Sequence, residues 1–396
     1  VTSVTRADTP RVGVLYPVRN PAGPEHWSGS PAGIVAGLRA QGVDAVPIGT
    51  PSGVGPDRVR LLWRRLQDGP GSVADHGPAA LRTRTAVLRR AVARAGRLDA
   101  LVAMGTDLYE LGAVRPADVP VATFDDGTLR QQWANASSDI RGAGFAQSDV
   151  TTWFEVQAAS SRAADAVCVS TSWARRSFED EYGVPRANVH VVGMGHRPRG
   201  APAPGERDWR VPHYLFVGVD WRRKNGDAVV RAFERVRRET PRATLDVVGG
   251  HPPLDAPGVR GHGLLRREDA AAQRRLDGLF AHATAFVMPS RFDPSPIAYL
   301  EAASAGIPVV ATTEGGAGEL LGPAALSVHP DDADALVDAM RRLADPVTAA
   351  SLGADALARS ADASWPRVAG RILAAVGLAD VPASEPAAAR SEEARP

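Results

Sequence analysis

Short apolar runs alternate with segments whose apolar residues recur every three or four positions, and halfway along the chain this alternation stops and starts again. Residues 11–16 read as a first strand, followed by a loop rich in Gly, Pro and Ser. Residues 31–41 place Ile34, Val35 and Leu38 at helical spacing, with Ser30 as an N-cap and Pro31 at the first helical position. Residues 43–48, 98–103, 119–124 and 166–170 read as further strands, separated by helical stretches such as 79–95. Such alternation predicts a parallel sheet with helices on both faces.

The break falls at 196–204, where three prolines and one glycine sit among few apolar residues. The pattern then resumes with strands at 214–217, 243–248, 285–288 and 308–311. Helical spacing lies between them at 227–239, 276–282 and 295–305, and helices around 334–343 and 365–376 follow. The expected organisation is α/β throughout: a first domain over 1–197, a linker over 198–208 and a second domain over 209–360. A helix over 361–378 is expected to return towards the first domain, and 379–396, without periodicity, reads as a disordered tail. Two tandem doubly wound domains suggest a ligand between them, at the carboxyl ends of the strands.

Composition narrows the function classes. A chain of 396 residues with 44% hydrophobic content is long enough for two cores. A formal net charge of +1 argues against a nucleic-acid binder, which needs a concentrated basic face. No apolar stretch reaches the roughly 18 residues that span a bilayer, and the first ten residues lack the apolar core of a signal peptide. A soluble, cytoplasmic protein is the expectation. Cys168, the single cysteine, lies in an apolar run and reads as a core thiol. Lys224 is the one lysine in a chain whose Lys and Arg total 46. Drift explains such a survivor, and so does a place where a compact ammonium matters.

Four segments carry candidate chemistry. In the first, a strand ends at Met288, a turn carries Asp293, and a helix begins near Ser295 or Pro296, with Ile297 in its first turn. Backbone N–H groups at a helix start carry positive partial charge and suit a diphosphate. Asp293 lies just ahead of them, and Glu301 follows on the helical face of Ile297. Carboxylates are acceptors only and hold sugar hydroxyls, or both hydroxyls of a vicinal diol; a capping Asp and a solvated Glu account for the same two residues. The second segment, between a strand and a helix, carries Gly218, Arg222, Arg223 and Lys224. The third holds Trp27, Ser28, Gly29 and Ser30, where Gly29 lets backbone approach a phosphate ahead of a helix N-terminus. Trp27 is either a core or rim residue or a sugar-stacking platform. The fourth is Asp125 and Asp126, turn formers or hydroxyl ligands at a strand end. His190 and His196 read as structural. No His/Asp cluster has metal-ligand spacing, so no metal site is expected.

The first segment, with Gly306, Pro308, Val309 and Val310 and then Gly315 and Gly316, closely resembles retaining glycosyltransferases of family 4. That family has the GT-B architecture of two Rossmann-like domains facing each other across a cleft. Its signature is two acidic residues separated by seven others, a Gly-x-Pro-Val-Val strand and a Gly-Gly turn. Here the pair is Asp293 and Glu301, with Asp in place of the usual Glu. The resemblance implies that Asp293 contacts the transferred sugar, that Glu301 holds the donor ribose, and that Ser295, Pro296 and Ile297 bind the donor. In the same family the loop around Gly218 carries an Arg and a Lys that neutralise the donor phosphates. Lys224 falls on the lysine position; the arginine position is Val219, so Arg223, with Arg222 next, is expected to substitute. The Trp27–Ser30 loop is similar to a Trp-Ser-Gly-Thr-like subset and puts Gly29 and Ser30 on the donor. Asp126 is expected where many relatives carry a histidine.

What the resemblance implies for function is glycosyl transfer with retention, by a front-face route in which Lys224 and Arg223 help the diphosphate to leave and Asp126 and Asp293 line the reacting centre. No cofactor is expected beyond the nucleotide-diphosphate-sugar as co-substrate. The acceptor is expected to be a hydroxyl on a small-molecule natural product or a cell-envelope glycan. A nucleotide-sugar 2-epimerase would need an acid/base set around the sugar, and a non-catalytic nucleotide-sugar-binding partner would bind without turnover. A nicotinamide dehydrogenase is disfavoured, because no Gly-x-Gly-x-x-Gly follows the first strand.

Overall fold

The computed structural model describes residues 9–50, 77–143, 145, 147–203 and 205–378; the expected tail at 379–396 and the first eight residues lie outside these. The first half runs β1 (Arg11–Leu15), α1 (Ser30–Ala40), β2 (Asp44–Ile48), α2 (Pro78–Arg94), β3 (Ala100–Ala103), α3 (Leu111–Val114) and β4 (Val121–Asp125). It continues with α4 (Leu129–Ala134), α5 (Asp139–Gly142), α6 (Gln147–Ala163), β5 (Ala166–Val169), α7 (Ser172–Asp180) and β6 (Val189–Val191). The second half runs β7 (His213–Asp220), α8 (Gly226–Glu239), β8 (Thr244–Gly250), β9 (Val259–Gly261), α9 (Ala270–His282) and β10 (Ala285–Val287). It closes with α10 (Ile297–Ser304), β11 (Val309–Thr312), α11 (Ala317–Leu321), β12 (Ala325–Val328), α12 (Ala333–Arg342), α13 (Pro346–Ser360) and α14 (Trp365–Ala375).

The strands form two six-stranded sheets, ordered β2-β1-β3-β4-β5-β6 and β12-β11-β10-β7-β8-β9, with every neighbouring pair parallel. Central strands bury both faces: β3, β4, β5, β10 and β11 are buried along their whole length. Cys168 is one of these core residues, and burial pushes its thiol up to about 12, so it stays neutral. The edge strands β6, β9 and β12 leave no apolar run in the sequence; each is three or four residues long and half open to solvent. The strand read at 119–124 is shifted to end on Asp125, which is buried within it.

In the second sheet β7 lies between β8 and β10, and the chain leaves β7 towards β8 but reaches β10 only after crossing back. The carboxyl ends of β7 and β10 are therefore neighbours whose outgoing loops diverge, which opens a crevice there.

One contact ties the halves together, and a second fixes the segment between them. Helix α14 lies on α1 at a distance that only glycine allows: a Cβ at Gly33 would sit 2.2 Å from the Trp365 ring, and one at Gly37 2.3 Å from the Trp365 carbonyl oxygen. The Gln41 side chain adds a hydrogen bond to the Pro366 carbonyl at 2.8 Å. The linker is fastened to the second domain by Arg207, which donates to the carbonyls of Ala305 at 2.8 Å and Gly306 at 2.9 Å, just past the end of α10. Its other contacts, at 3.3 Å to Phe280 and Ala281, reach the last turn of α9. A cation there satisfies carbonyls that a helix end leaves unpaired. No helix among the described residues is long and apolar enough to cross a membrane.

The close approach of α1 and α14 sets a stability test. Gly37→Ala is expected to push backbone against backbone and lower stability by about 1–3 kcal/mol. Gly278, exposed within α9 with nothing within 4 Å of an added Cβ, is expected to gain about 0.5–1 kcal/mol as Ala. Denaturant titration of both variants checks the pair; an equal gain in each would show that helix propensity, not the α1–α14 contact, decides.

Candidate active site

Among the described residues, a cavity of about 820 Å³ lies between the two sheets, at their carboxyl ends. Its second-domain wall is built by the loops after β7 and β10, the start of α10 and the loop after β9; the first domain contributes the loop before α1, Asp126 after β4, and residues of α4 and α5.

The loop after β7 aims Lys224 into this cavity. Arg223 N donates to the Asp220 carboxylate at 3.0 Å and Lys224 N to the Asp220 carbonyl at 2.9 Å, which closes the turn. Asn225 then takes a left-handed conformation, φ 64°, held by its side-chain donation to the Pro330 carbonyl at 2.8 Å. Gly218 leaves room for the lysine stem, since a Cβ there would lie 2.8 Å from Lys224 Cγ. Lys224 Nζ meets Asp293 Oδ2 in a short ion pair. Burial lowers the Lys224 pKa, and the Asp293 charge opposes that fall.

Arg223 lies beside them. Its guanidinium forms an ion pair with Asp139 of α5 at 2.8 Å, spanning the two domains, donates to the Phe292 carbonyl at 3.3 Å, and comes within 3.9 Å of Asp293. The sequence leaves Asp139 unremarked. Arg222 is exposed and does not line the cavity, so of the two arginines named as substitutes for the Val219 position only Arg223 faces the cleft. Val219 itself is 75% exposed on the cleft rim.

Asp293 is 5% exposed, and its position depends on the Gly-Gly turn. A Cβ at Gly315 would lie 2.3 Å from the Asp293 carbonyl oxygen, and Gly315 has φ +83°, so glycine is required twice over. Pro296 is the N-cap of α10, and Pro296 and Ile297 present the helix start to the cavity. Ser295 also lines it, but its hydroxyl is shared with Ser170 of the first domain at 2.5 Å, so it closes the domain contact.

Glu301 is 2% exposed, one turn into α10 from Ile297. Arg199 holds it at 3.0 Å and Arg267 at 3.4 Å. Arg199 is itself fully packed: its Nη1 pairs with Asp277 at 2.7 Å, its backbone N–H donates to Ser304 Oγ at 2.9 Å, and its guanidinium lies 5.1 Å over the Phe280 ring. A buried carboxylate needs such partners, because desolvation of an unpaired charge is costly. Sequence reasoning missed Arg199, which falls in the linker, and Arg267, which follows an edge strand; neither sits in a periodic pattern that points at Glu301.

On the first-domain wall, Trp27, Ser28 and Gly29 have consecutive positive φ values of 39°, 53° and 86°. Left-handed backbone at two non-glycine residues stores strain of order 1–3 kcal/mol each. The result sets Ser30 at the start of α1 with its hydroxyl fully buried, lining the cavity and without a protein hydrogen-bond partner among the described residues. Gly29 lies between the cavity-lining Ser28 and Ser30, near Arg267. Trp27 Nε1 donates to Asp126 Oδ2 at 3.3 Å, and its ring stacks on Tyr16. Burial raises the Asp126 pKa to about 6, against the pull of the Trp27 hydrogen bond. Asp125, one residue earlier, faces the sheet interior, and burial raises its pKa well above the usual carboxylate range. His190 and His196 are outside the cavity; His196 Nδ1 bonds the Ala363 carbonyl at 2.7 Å. Among the described residues no group of three or more His, Cys, Asp or Glu side chains could hold a metal ion.

Comparison with known proteins bears on this arrangement. Residues 211–345, which contain the loops carrying Lys224, Asp293 and Glu301, match the family model described as Glycosyl transferases group 1. A GDP-mannose-dependent alpha-(1-6)-phosphatidylinositol monomannoside mannosyltransferase of Mycolicibacterium smegmatis is 32% identical over 215 residues, 48% of this chain and 56% of the relative. A glycogen synthase of Mycobacterium tuberculosis is 28% identical over 228 residues, 52% of this chain and 53% of the relative. The chain thus matches about half the length of these curated relatives. Among solved structures, a sucrose-phosphate synthase from Thermosynechococcus elongatus superposes with a TM-score of 0.64 at 19% identity, covering 91% of this chain and 96% of that one. WaaG, a glycosyltransferase involved in lipopolysaccharide biosynthesis, gives 0.64 at 16% identity, covering 93% and 100%. The two facing parallel sheets are the GT-B fold, and the second of them carries a Glycosyl transferases group 1 segment.

Proposed function

We propose that this chain is a retaining glycosyltransferase of family 4 that moves a sugar from a nucleotide-diphosphate-sugar to a hydroxyl acceptor. The observation that carries this reading is the convergence of Lys224, Arg223 and the α10 N-terminus on one cavity that also holds two buried carboxylates, Asp293 and Glu301. Cations and helix-start N–H groups oppose the charge that builds on a departing diphosphate. Glu301, oriented by Arg199 and Arg267, accepts from the ribose hydroxyls.

The chemistry runs on one face of the sugar. The acceptor oxygen bonds the anomeric carbon as the bond to the diphosphate breaks, and the acceptor's proton passes to the departing phosphate oxygen. The diphosphate serves as base, so the route needs neither a protein nucleophile of the kind retaining glycosidases use nor a metal ion, its charge being met by Lys224 and Arg223. Asp126 accepts a hydroxyl of the transferred sugar from the opposite wall. Closure of the two domains excludes the water that would hydrolyse the donor.

Two measurements test this. Thermal melting against UDP, GDP, dTDP and ADP is expected to single out one nucleotide, with about 2.7 kcal/mol of added stability at a hundredfold excess over its dissociation constant. That shift is expected to collapse in Lys224→Ala, and no shift by any nucleotide at millimolar levels would remove the reading. The second is a pH profile. Asp126 ionises at about pH 6, so the acceptor role requires kcat/KM to rise as pH passes upward through that value. Asp126→Asn is expected to abolish this limb and reduce kcat/KM by roughly 10–100-fold; a limb unchanged in the variant would assign it to another group.

A further inference from the structure

The two walls of the cleft differ in charge: the second-domain wall sets Asp220, Glu268, Asp293 and Glu301 among its cations, whereas the first-domain wall has carboxylates alone. Among the described residues lining it, all the cationic side chains belong to the second domain or to the linker docked on it: Arg199, Arg223, Lys224, Arg266 and Arg267. The first-domain wall offers three carboxylates, Glu25, Asp126 and Asp139, with Trp27 and Gln132 among them, and no cation. The donor diphosphate belongs to the wall that carries the cations and the transferred sugar reaches Asp126, so the rest of the first-domain wall is left for the acceptor.

We propose that the acceptor carries a protonated amine, an amino-polyol in place of a neutral or phosphorylated one, and docks that amine against the first-domain wall. This rests on the reading of the cleft as a glycosyl-transfer site.

Three observations support the assignment. A phosphorylated acceptor would face three carboxylates with no cation of the same wall to neutralise it. A neutral polyol can donate its hydroxyls to these carboxylates but brings no charge to offset them; the Trp27 N–H on this wall is already committed to Asp126. Independently of the carboxylates, Ser30 Oγ lines the same cavity fully buried and without a protein partner among the described residues. A compact ammonium brings three donors together with the positive charge that a neutral polyol lacks. Asp139 and Glu25 have partners of their own, Arg223 at 2.8 Å and His26 at 3.2 Å. Both lie at the exposed edge, with side chains 67% and 46% exposed, while Asp126 lies deeper with Trp27 as its hydrogen-bond partner. The amine is not the reacting group: a hydroxyl of the same molecule attacks the anomeric carbon and loses its proton to the departing diphosphate.

The test uses a panel of amino-polyols, scyllo-inosamine, 2-deoxystreptamine and glucosamine, each beside its N-acetylated form and its hydroxyl counterpart, with an inositol phosphate added. The donors are the sugars of the nucleotide that shifts the melting temperature. The free amines are expected to show KM values lower by roughly tenfold or more than their partners. The variant Glu25→Gln, which touches no donor-site residue, is expected to narrow that gap while keeping the nucleotide-dependent melting shift, which depends on the opposite wall. Equal KM values, a preference for the acetylated or phosphorylated member, a gap unchanged in Glu25→Gln, or no turnover of any amine overturns this inference. With the nucleotide shift still present, those outcomes leave the glycosyltransferase reading standing; absence of the shift brings down both.

Discussion

Two carboxylates buried on the floor of one cleft must be neutralised by cations that come from elsewhere in the chain, and much of the architecture serves that requirement. Glu301, one turn inside α10, is met by Arg199 from the linker and Arg267 from the loop after β9. Asp293, at the turn before α10, is met by Lys224 and approached by Arg223 from the loop after β7. Removing one member of such a group leaves an uncompensated charge, at a cost of about 3–5 kcal/mol. The linker is therefore a structural member of the second domain: Arg199 and Arg207 lock it to α9 and α10, and its place in the sequence between domains disguises this.

Topology supplies the rest of the geometry. Lys224 and Asp293 are 69 residues apart in sequence and meet because β7 and β10 are adjacent with diverging loops. Glycines make the approach possible: Gly218 admits the lysine stem, and Gly315 admits the Asp293 carbonyl. On the facing wall the strained Trp27–Gly29 turn puts a buried hydroxyl at the α1 start and hands the indole N–H to Asp126. Strain held at a ligand-facing turn is sustained by the packing around it, here the Tyr16 and Phe124 rings against Trp27.

The sequence exposes those parts of this design that depend on local pattern. The two βα units, the turn carrying Asp293, the helix start at Pro296 and Ile297, and the lone lysine are readable because burial of both faces or a Gly/Pro signal marks them. Edge strands β6, β9 and β12 are not, since a strand buried on one side keeps polar residues such as His190, Arg260 and Ser327 and leaves no apolar run. Arg199, Arg267 and Asp139 are equally hidden, because their roles exist only through partners distant in sequence. Arg222 is the reverse case: charged, next to Arg223 and in the right loop, it points to solvent, since a turn aims successive side chains in different directions. Asp125 and Asp126 divide in the same way, one closing a buried strand and the other facing the cleft.

The replacement of lysine by arginine almost everywhere has a chemical consequence. Lys224 is the single ε-amine in the 396-residue sequence, it lines the cleft with its side chain 13% exposed, and burial lowers its pKa, which enlarges the neutral, nucleophilic fraction at a given pH. Guanidinium groups do not acylate under conditions that modify amines. Covalent chemistry directed at lysine side chains thus finds one address on this molecule, and the rate at which that address reacts is a direct gauge of what stands between it and solvent.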